Sequence, residues 1–281
     1  MFYEVDEDGN LTHPFFQEVL YGFKRVAAAE GYDVLLFTNT PGRALVQSYE
    51  HRARARGVDG VALMGVRRTS PDLEALAASR IPCMSVDLDL LGPRAGYVSS
   101  TNVEGAVQAV EYLIAMQHRN IAFIGDRFAT KPGHDRLIGY QQTLQRHGLA
   151  FRPEWVCNGD FSEDSGYESA RRLLAEYTEI TAIFCAGDMM AIGAMRAIAE
   201  RGLAVGEDIS VIGYDDLPVA AATQPPLTTV RQERRKLGEM AAQALIQMIQ
   251  DPYAVPPVLQ IPTELVVRQS VAVCRKAPVG G

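Results

Sequence analysis

Short apolar runs rich in β-branched residues recur along the chain, each followed by a segment whose apolar positions repeat at helical spacing. The runs Phe2–Val5, Asp33–Phe37, Val58–Met64, Pro82–Val86, Asn120–Ile124, Ile180–Ala186 and Ile209–Gly213 predict strands. Several are apolar at consecutive positions, the pattern of strands covered on both faces of a parallel sheet. Pro14–Glu30 gathers Phe15, Phe16, Val19, Leu20, Phe23, Val26 and Ala27 on one helix face, with Pro14 suited to the first turn and Gly31 to the stop. Asn102–Gln117, Arg136–His147, Ser165–Tyr177 and Asp188–Arg201 predict helices in the same way. This repeating strand–helix order predicts an α/β fold with helices on both faces of a parallel sheet.

The openings PFFQEVLYGF and RLIGYQQTLQ, leading to helix ends EGYDVLLF and RHGLAFRPEWVC, hint at a duplication. After the second half comes an extended, proline-led run, QPPLTTVRQ, and then a helix over Arg234–Gln250. A strand-like run over Glu264–Val273 closes the chain. The expected architecture is two similar lobes, residues 1–100 with 231–262 and residues 103–229 with 264–276, joined by three crossovers and suited to a ligand in the cleft.

Composition narrows the function classes. With 281 residues, 47% hydrophobic and 22% charged, the chain reads as a folded, soluble protein. Its net charge of −7 and lack of a basic arm argue against a nucleic-acid surface, which needs clustered cations. The four cysteines, Cys83, Cys157, Cys185 and Cys274, are far apart, so neither a zinc ribbon nor a redox pair is available, and a reducing cytoplasm is expected. The acidic opening MFYEVDEDGN has no secretory pattern, and no run reaches a membrane span.

No phosphate loop, dinucleotide fingerprint, zinc-protease helix or nucleophile elbow occurs. No metal and no cofactor is implied, and no catalytic residue. What stands out is acidic residues at strand ends: Asp87 after PCMSV, Asp188 after ITAIFCAG, and Asp215 with Asp216 after ISVIGY. Ligands of open α/β sheets bind beyond those ends. Helix capping is the plain alternative for Asp188 and Asp216. Phe15, Phe16 and Phe161 lie near the same rim, one of the first two expected in the core, and His13 precedes the first helix. Arg136, read as opening its helix, offers a planar fork of donors, or else a surface ion pair with Asp135. Aromatic faces, guanidinium donors and carboxylate acceptors together suit a polyhydroxylated guest.

These motifs resemble the effector-binding core of the lactose-repressor/galactose-repressor (LacI/GalR) family of transcription regulators. The resemblance is carried by HPFFQEVLYGF, GVDGVALM, IPCMSVD, HRNIAFIGD, DRLIGY, GDFSEDSGY, TAIFCAGDMMAIGAMRAI, EDISVIGYDDLPVA, PPLTTVRQ and PTELVVRQS, in the family's order over nearly the whole chain. It implies the periplasmic-binding-protein type I fold and a non-enzymatic sensor. In such a sensor, effector binding closes or rotates the lobes and alters operator affinity of the full-length protein. The helix-turn-helix headpiece that reads operator DNA as a dimer is expected to be absent here, trimmed away or lost.

By this resemblance the effector is held by Phe16, Asp87, Arg136, Phe161, Asp188 and Asp215, with His13 and Phe15 as further candidates. The partners implied are a mono- or disaccharide effector, a second copy through the helix near Ala44–Ala55, and operator DNA only through the headpiece. Arg136→Ala is expected to weaken binding roughly 10- to 150-fold, and to leave folding largely intact if the side chain serves the ligand and not the core. Three departures touch the site: His13 stands where Asn is common, Gly187 replaces Asn before Asp188, and Thr101 replaces the usual Asp. Rival readings are a periplasmic sugar receptor, a carboxylate-dependent sugar enzyme, and a purine-responsive regulator with a flat base between Phe16 and Phe161.

Overall fold

A computed structural model describes residues 2–3, 13–38, 48–70 and 72–275. The chain runs β1 (Phe2–Tyr3), α1 (Pro14–Ala29), β2 (Phe37–Thr38), α2 (Tyr49–Ala55), β3 (Val61–Met64), α3 (Leu73–Ala78), β4 (Cys83–Val86) and β5 (Ala95–Ser100). It continues with α4 (Asn102–Ala115), β6 (Ile121–Ile124), α5 (Lys131–Arg146), β7 (Val156–Cys157), α6 (Glu163–Glu176), β8 (Ala182–Cys185), α7 (Asp188–Glu200) and β9 (Ser210–Asp215). β10 (Thr228–Arg231), α8 (Arg234–Gln250), β11 (Val258–Ile261) and β12 (Glu264–Val266) complete it. The end of the expected first strand, the loop before His13 and residues 44–47 of the expected interface helix lie outside the described residues.

Two compact units result. The first comprises the described residues of Met1–Ser100, Ala129–Lys131 and Glu233–Ile261; the second comprises those of Thr101–Phe128, Pro132–Gln232 and Pro262–Gly281. In the first, six parallel strands run in the order β11-β5-β4-β3-β1-β2. In the second the order is β12-β10-β9-β8-β6-β7, parallel except that β12 runs against β10. Both are doubly wound sheets whose strand order reverses once, beside β1 and beside β6. That reversal leaves a crevice at the carboxyl ends of the neighbouring strands.

Packing follows from the apolar runs. In the first unit, α1 buries Phe15, Val19, Phe23 and Ala27, and α8 buries Leu237, Ala241, Leu245 and Met248. The two helices touch through glycines. A Cβ on Gly22 would overlap the Arg235 carbonyl, and one on Gly238 the Val19 carbonyl. In the second unit Phe123, Tyr140, Phe184 and Tyr214 are fully buried in the core.

Three expectations need correction. The strand expected over Asp33–Phe37 is reduced to Phe37–Thr38 at the sheet edge, where β1 is its one neighbour, and Leu35 and Leu36 stay exposed. The strand-like run from Glu264 keeps only three residues as β12, because beyond them Arg268 and Ser270 turn their hydrogen bonds to Thr228, Leu227 and Val211. The helix expected from Arg136 starts a turn earlier, at Lys131, which carries Arg136 inside the fold.

Candidate functional site

In the second unit the tips of β6, β8, β9 and β10 gather the polar groups. Arg136, in the second turn of α5, is 2% exposed. Its Nε donates to Asn102 Oδ1 at 2.9 Å and its Nη1 to the Ala186 carbonyl at 2.6 Å. The guanidinium carbon lies 3.7 Å from the centroid of the Tyr214 ring, and Nη1 is 3.9 Å from Asp215 Oδ1. These contacts engage Nε and Nη1; Nη2 makes none of them. A surface ion pair with Asp135 is thereby excluded for Arg136, since burial and α5's earlier start point it at the sheet.

Asp215 ends β9 at 5% exposure and accepts from Gln232 Nε2 at 2.6 Å. With its amide nitrogen fixed on that carboxylate, Gln232 presents Oε1, buried and without a hydrogen-bond partner among the described residues. An orphaned acceptor of this kind costs free energy unless something outside the protein fills it. Phe161 is half-buried above β8, where a Cβ on Gly187 would meet its Cδ1 at 3.2 Å. The turn beneath it is built by Asp160, which accepts from Ser162 N at 2.9 Å while its own N–H donates to Ser165 Oγ. Burial alone would raise the Asp160 pKa, but the hydrogen bonds from Ser162 and Ser165 outweigh it and hold the pKa below its ordinary value.

Asp188 has a different task. It is fully buried, its Oδ2 accepts from Leu217 N at 2.7 Å, and its Oδ1 accepts from Thr229 Oγ1 at 2.5 Å. Both oxygens therefore tie the β8 tip to the segment after β9 and to β10. It does not cap α7, whose N-cap is Gly187. Burial pushes its pKa well above the carboxylate range, Asp215 pushes the same way, and the bonds from Thr229 and Leu217 oppose them. Asp216 is no cap either, since Arg231 and Arg268 hold its carboxylate.

In the first unit Asp87 follows β4 and accepts from Ser99 Oγ at 3.0 Å. Phe15 is buried core, while Phe16 is half-buried and meets Phe15 edge-on at 5.3 Å and His13 at 5.7 Å. His13 caps α1, its Nδ1 accepting from Phe15 N at 3.3 Å.

The backbone marks the same places. Of the five non-glycine residues described with positive φ, Asp87, Phe161, Asp215 and Asp216 stand at strand tips, and Gln117 alone does not. Such conformations are strained and concentrate at functional sites. Among the described residues no cluster of His, Cys, Asp and Glu is arranged to hold a metal. Cys83, Cys157 and Cys185 are free and buried, and burial pushes the Cys83 thiol up to about 12. No described helix is long and apolar enough to cross a membrane.

Asn102, Tyr214 and Gln232 escaped the sequence reading. Asn102 read only as a helix start, Tyr214 as strand core, and Gln232 as the end of an extended run. The neighbourhood of GYDD and PPLTTVRQ was the available signal for the last two.

Residues 110–271 match the periplasmic binding protein-like domain. The PurR repressor of Pasteurella multocida (strain Pm70), an HTH-type transcriptional repressor, is 31% identical over 92% of this chain and 78% of its own length. The chain belongs to the LacI/GalR family. Among solved structures, the transcriptional regulator CelR in complex with cellobiose is 30% identical, with a TM-score of 0.85 over 96% of this chain and 83% of its own. The lac repressor dimer bound to operator and the anti-inducer ONPF is 28% identical, with a TM-score of 0.82 over 96% and 93% of the two chains. A LacI-family regulatory protein from Chloroflexus aggregans is 29% identical, with a TM-score of 0.81 over 96% and 98%. The chain is thus the effector-binding core of a LacI/GalR transcription regulator, a sensor and not an enzyme.

Proposed function

We propose that the effector is a small sugar, a mono- or disaccharide, bound at the strand tips around Arg136, Asp215, Gln232 and Phe161. The observation that carries this reading is the arrangement of a buried guanidinium bonded through Nε and Nη1, a buried carboxylate 3.9 Å from it and an orphaned amide acceptor. A hydroxyl accepts from Arg136 Nη2 and donates to Asp215, a second donates to Gln232 Oε1, and Phe161 covers an apolar sugar face. Asp188 supports the site through its bonds to Leu217 and Thr229. The CelR–cellobiose complex among the relatives supports the sugar class. The effector alters operator affinity of the full-length protein by its differential affinity for two states. The regulator works in the cytoplasm as a homodimer that contacts operator DNA through the helix-turn-helix headpiece of the full-length protein.

A second reading, a purine effector stacked on Phe161, draws on the PurR repressors among the relatives. A thermal-shift screen with cellobiose, glucose, galactose, sugar phosphates, hypoxanthine and guanine separates the two. A sugar that raises the melting temperature supports the proposal; a response to the nucleobases alone replaces it with the purine reading. Light scattering at micromolar concentration checks the dimer, and a monomer at that concentration counts against it.

A further inference from the structure

Asp215 and Asp216 are two successive non-glycine residues at positive φ, +114° and +52°. A pair of L-residues does not hold that conformation unaided, so the surrounding contacts must impose it. Asp188 holds the next peptide through Leu217 N. The stronger grip is on Asp216 itself, whose Oδ2 accepts from Arg231 Nε at 2.7 Å and whose Oδ1 accepts from Arg268 Nη2 at 2.5 Å.

The two arginines are not equivalent. Arg231 is 40% exposed and also faces Glu264 at 3.6 Å, so solvent and a second carboxylate dilute its hold. Arg268 is 17% exposed, and its other arm, Nη1, donates to the Leu227 carbonyl at 2.7 Å. Its backbone N–H donates to Thr228 Oγ1 at 2.9 Å, which fixes the root of the side chain. Planar donors held at both ends resist rotation in a way a single ammonium cannot. The Asp216 carboxylate stays ionised: burial pushes its pKa up, and the bonds from Arg268 and Arg231 more than reverse the push.

We infer that Arg268 is a positioning residue of the effector site, acting through Asp216 to hold the left-handed tip that aims Asp215 at the ligand. Arg268 sits in the C-terminal segment, beyond β12 and 52 positions from Asp216 in sequence, and its bonds go to Asp216, Leu227 and Thr228. The inference rests on Asp215 being an effector ligand. It adds that affinity is set partly by a side chain that never meets the effector.

The test uses the 281-residue chain with Arg268→Met, Arg268→Lys, Asp216→Asn and the Arg268→Met/Asp216→Asn pair. Calorimetric titrations use cellobiose and hypoxanthine as probes. Arg268→Met and Asp216→Asn should each weaken the responding probe about tenfold or more, the scale of one charge-assisted hydrogen bond. The double variant should be no worse than the worse single one, as for residues acting in one chain of contacts. Arg268→Lys, which keeps a cation but not both arms, should fall between. Additive losses, or unchanged affinity in Arg268→Met, overturn the inference. If neither probe binds the parent chain, that failure belongs to the effector reading, and crystal structures decide the inference. Asp215 and Asp216 should leave the positive-φ region in Arg268→Met, or in Arg268→Lys should the first variant not fold. An unmoved tip overturns it.

Discussion

Arg136 and Asp215 face each other at 3.9 Å with side chains 3% and 6% exposed, yet the shorter bonds of Arg136 go to neutral oxygens of Asn102 and Ala186. The cation is therefore part of the frame of the second unit as well as a candidate ligand contact. Removing it takes a buried cation from 3.9 Å beside Asp215 and withdraws its hydrogen bonds from Asn102 Oδ1 and the Ala186 carbonyl. Arg136→Ala should then lower unfolding free energy by about 3 kcal/mol, read by urea denaturation, in addition to weakening effector binding. Intact folding is expected only of a side chain that serves the ligand and not the core, and that condition is not met, because α5 begins at Lys131 and buries Arg136.

Asp188 predicts a pH signature. Its folded-state pKa is raised by burial and by Asp215, so the folded protein holds a proton that the unfolded chain has already lost. Stability from this group is full below the unfolded carboxylate value of about 3.9 and declines as pH rises toward the folded value. In Asp188→Asn the amide oxygen can still accept from Leu217 N and the amide nitrogen can donate to Thr229 Oγ1. The variant should fold, and the difference in melting temperature between parent and variant should move in the variant's favour as pH rises from 4 toward 8. A constant difference over that span would contradict the shift.

His118 predicts the opposite sign. It is 3% exposed, with Nδ1 2.9 Å from Thr181 Oγ1 and Nε2 3.0 Å from the Ala272 carbonyl. Burial lowers its pKa, the Ala272 carbonyl partly restores it, and Arg119 lowers it again. The unfolded chain then binds the proton first, so stability is lost as pH falls through about 6.5 toward the folded value. His118→Gln should lack that loss, seen as a flatter melting temperature between pH 7 and pH 5.

Gly238 tests the first unit. Alanine on a helix normally gains about 1 kcal/mol over glycine. Here the added carbon would overlap the Val19 carbonyl and crowd Phe23 N, and overpacking against backbone costs about 1–3 kcal/mol or more. Crowding should win, so Gly238→Ala should unfold at lower urea than the parent chain. A more stable variant would mean that α1 and α8 part readily.

The elements that the sequence made legible are those whose burial is continuous. The runs of β3, β4, β6, β8 and β9 are buried at every position, so the local pattern carries the whole signal. β5 was missed because AGYVSS looks like a loop. Gly96 is demanded there by the Pro257 carbonyl, and Ser99 by its bond to Asp87. β11, a half-exposed edge strand behind two prolines, was missed for want of any buried run. Pro132, in the first turn, is the sequence signal for the early start of α5. At the site, the placing of carboxylates at strand ends was readable from the strands alone. That Asp188 and Asp216 serve the frame was not, because their partners Leu217, Thr229, Arg231 and Arg268 lie up to 52 residues away.

The last strand of the second sheet comes from beyond α8 and β11, which belong to the first unit. During synthesis, residues 101–232 therefore leave the ribosome with one edge of their sheet still missing, and wait while the first unit receives its final helix and strand. The waiting edge is β10, where Thr228 N has yet to meet Ser270 Oγ and Val230 its partner Leu265. A nascent chain halted before Ser270 would carry a finished first unit and an unsealed second one. Such a species is open to strand exchange or proteolysis at β10, so quality control of this regulator falls on the segment that follows β11.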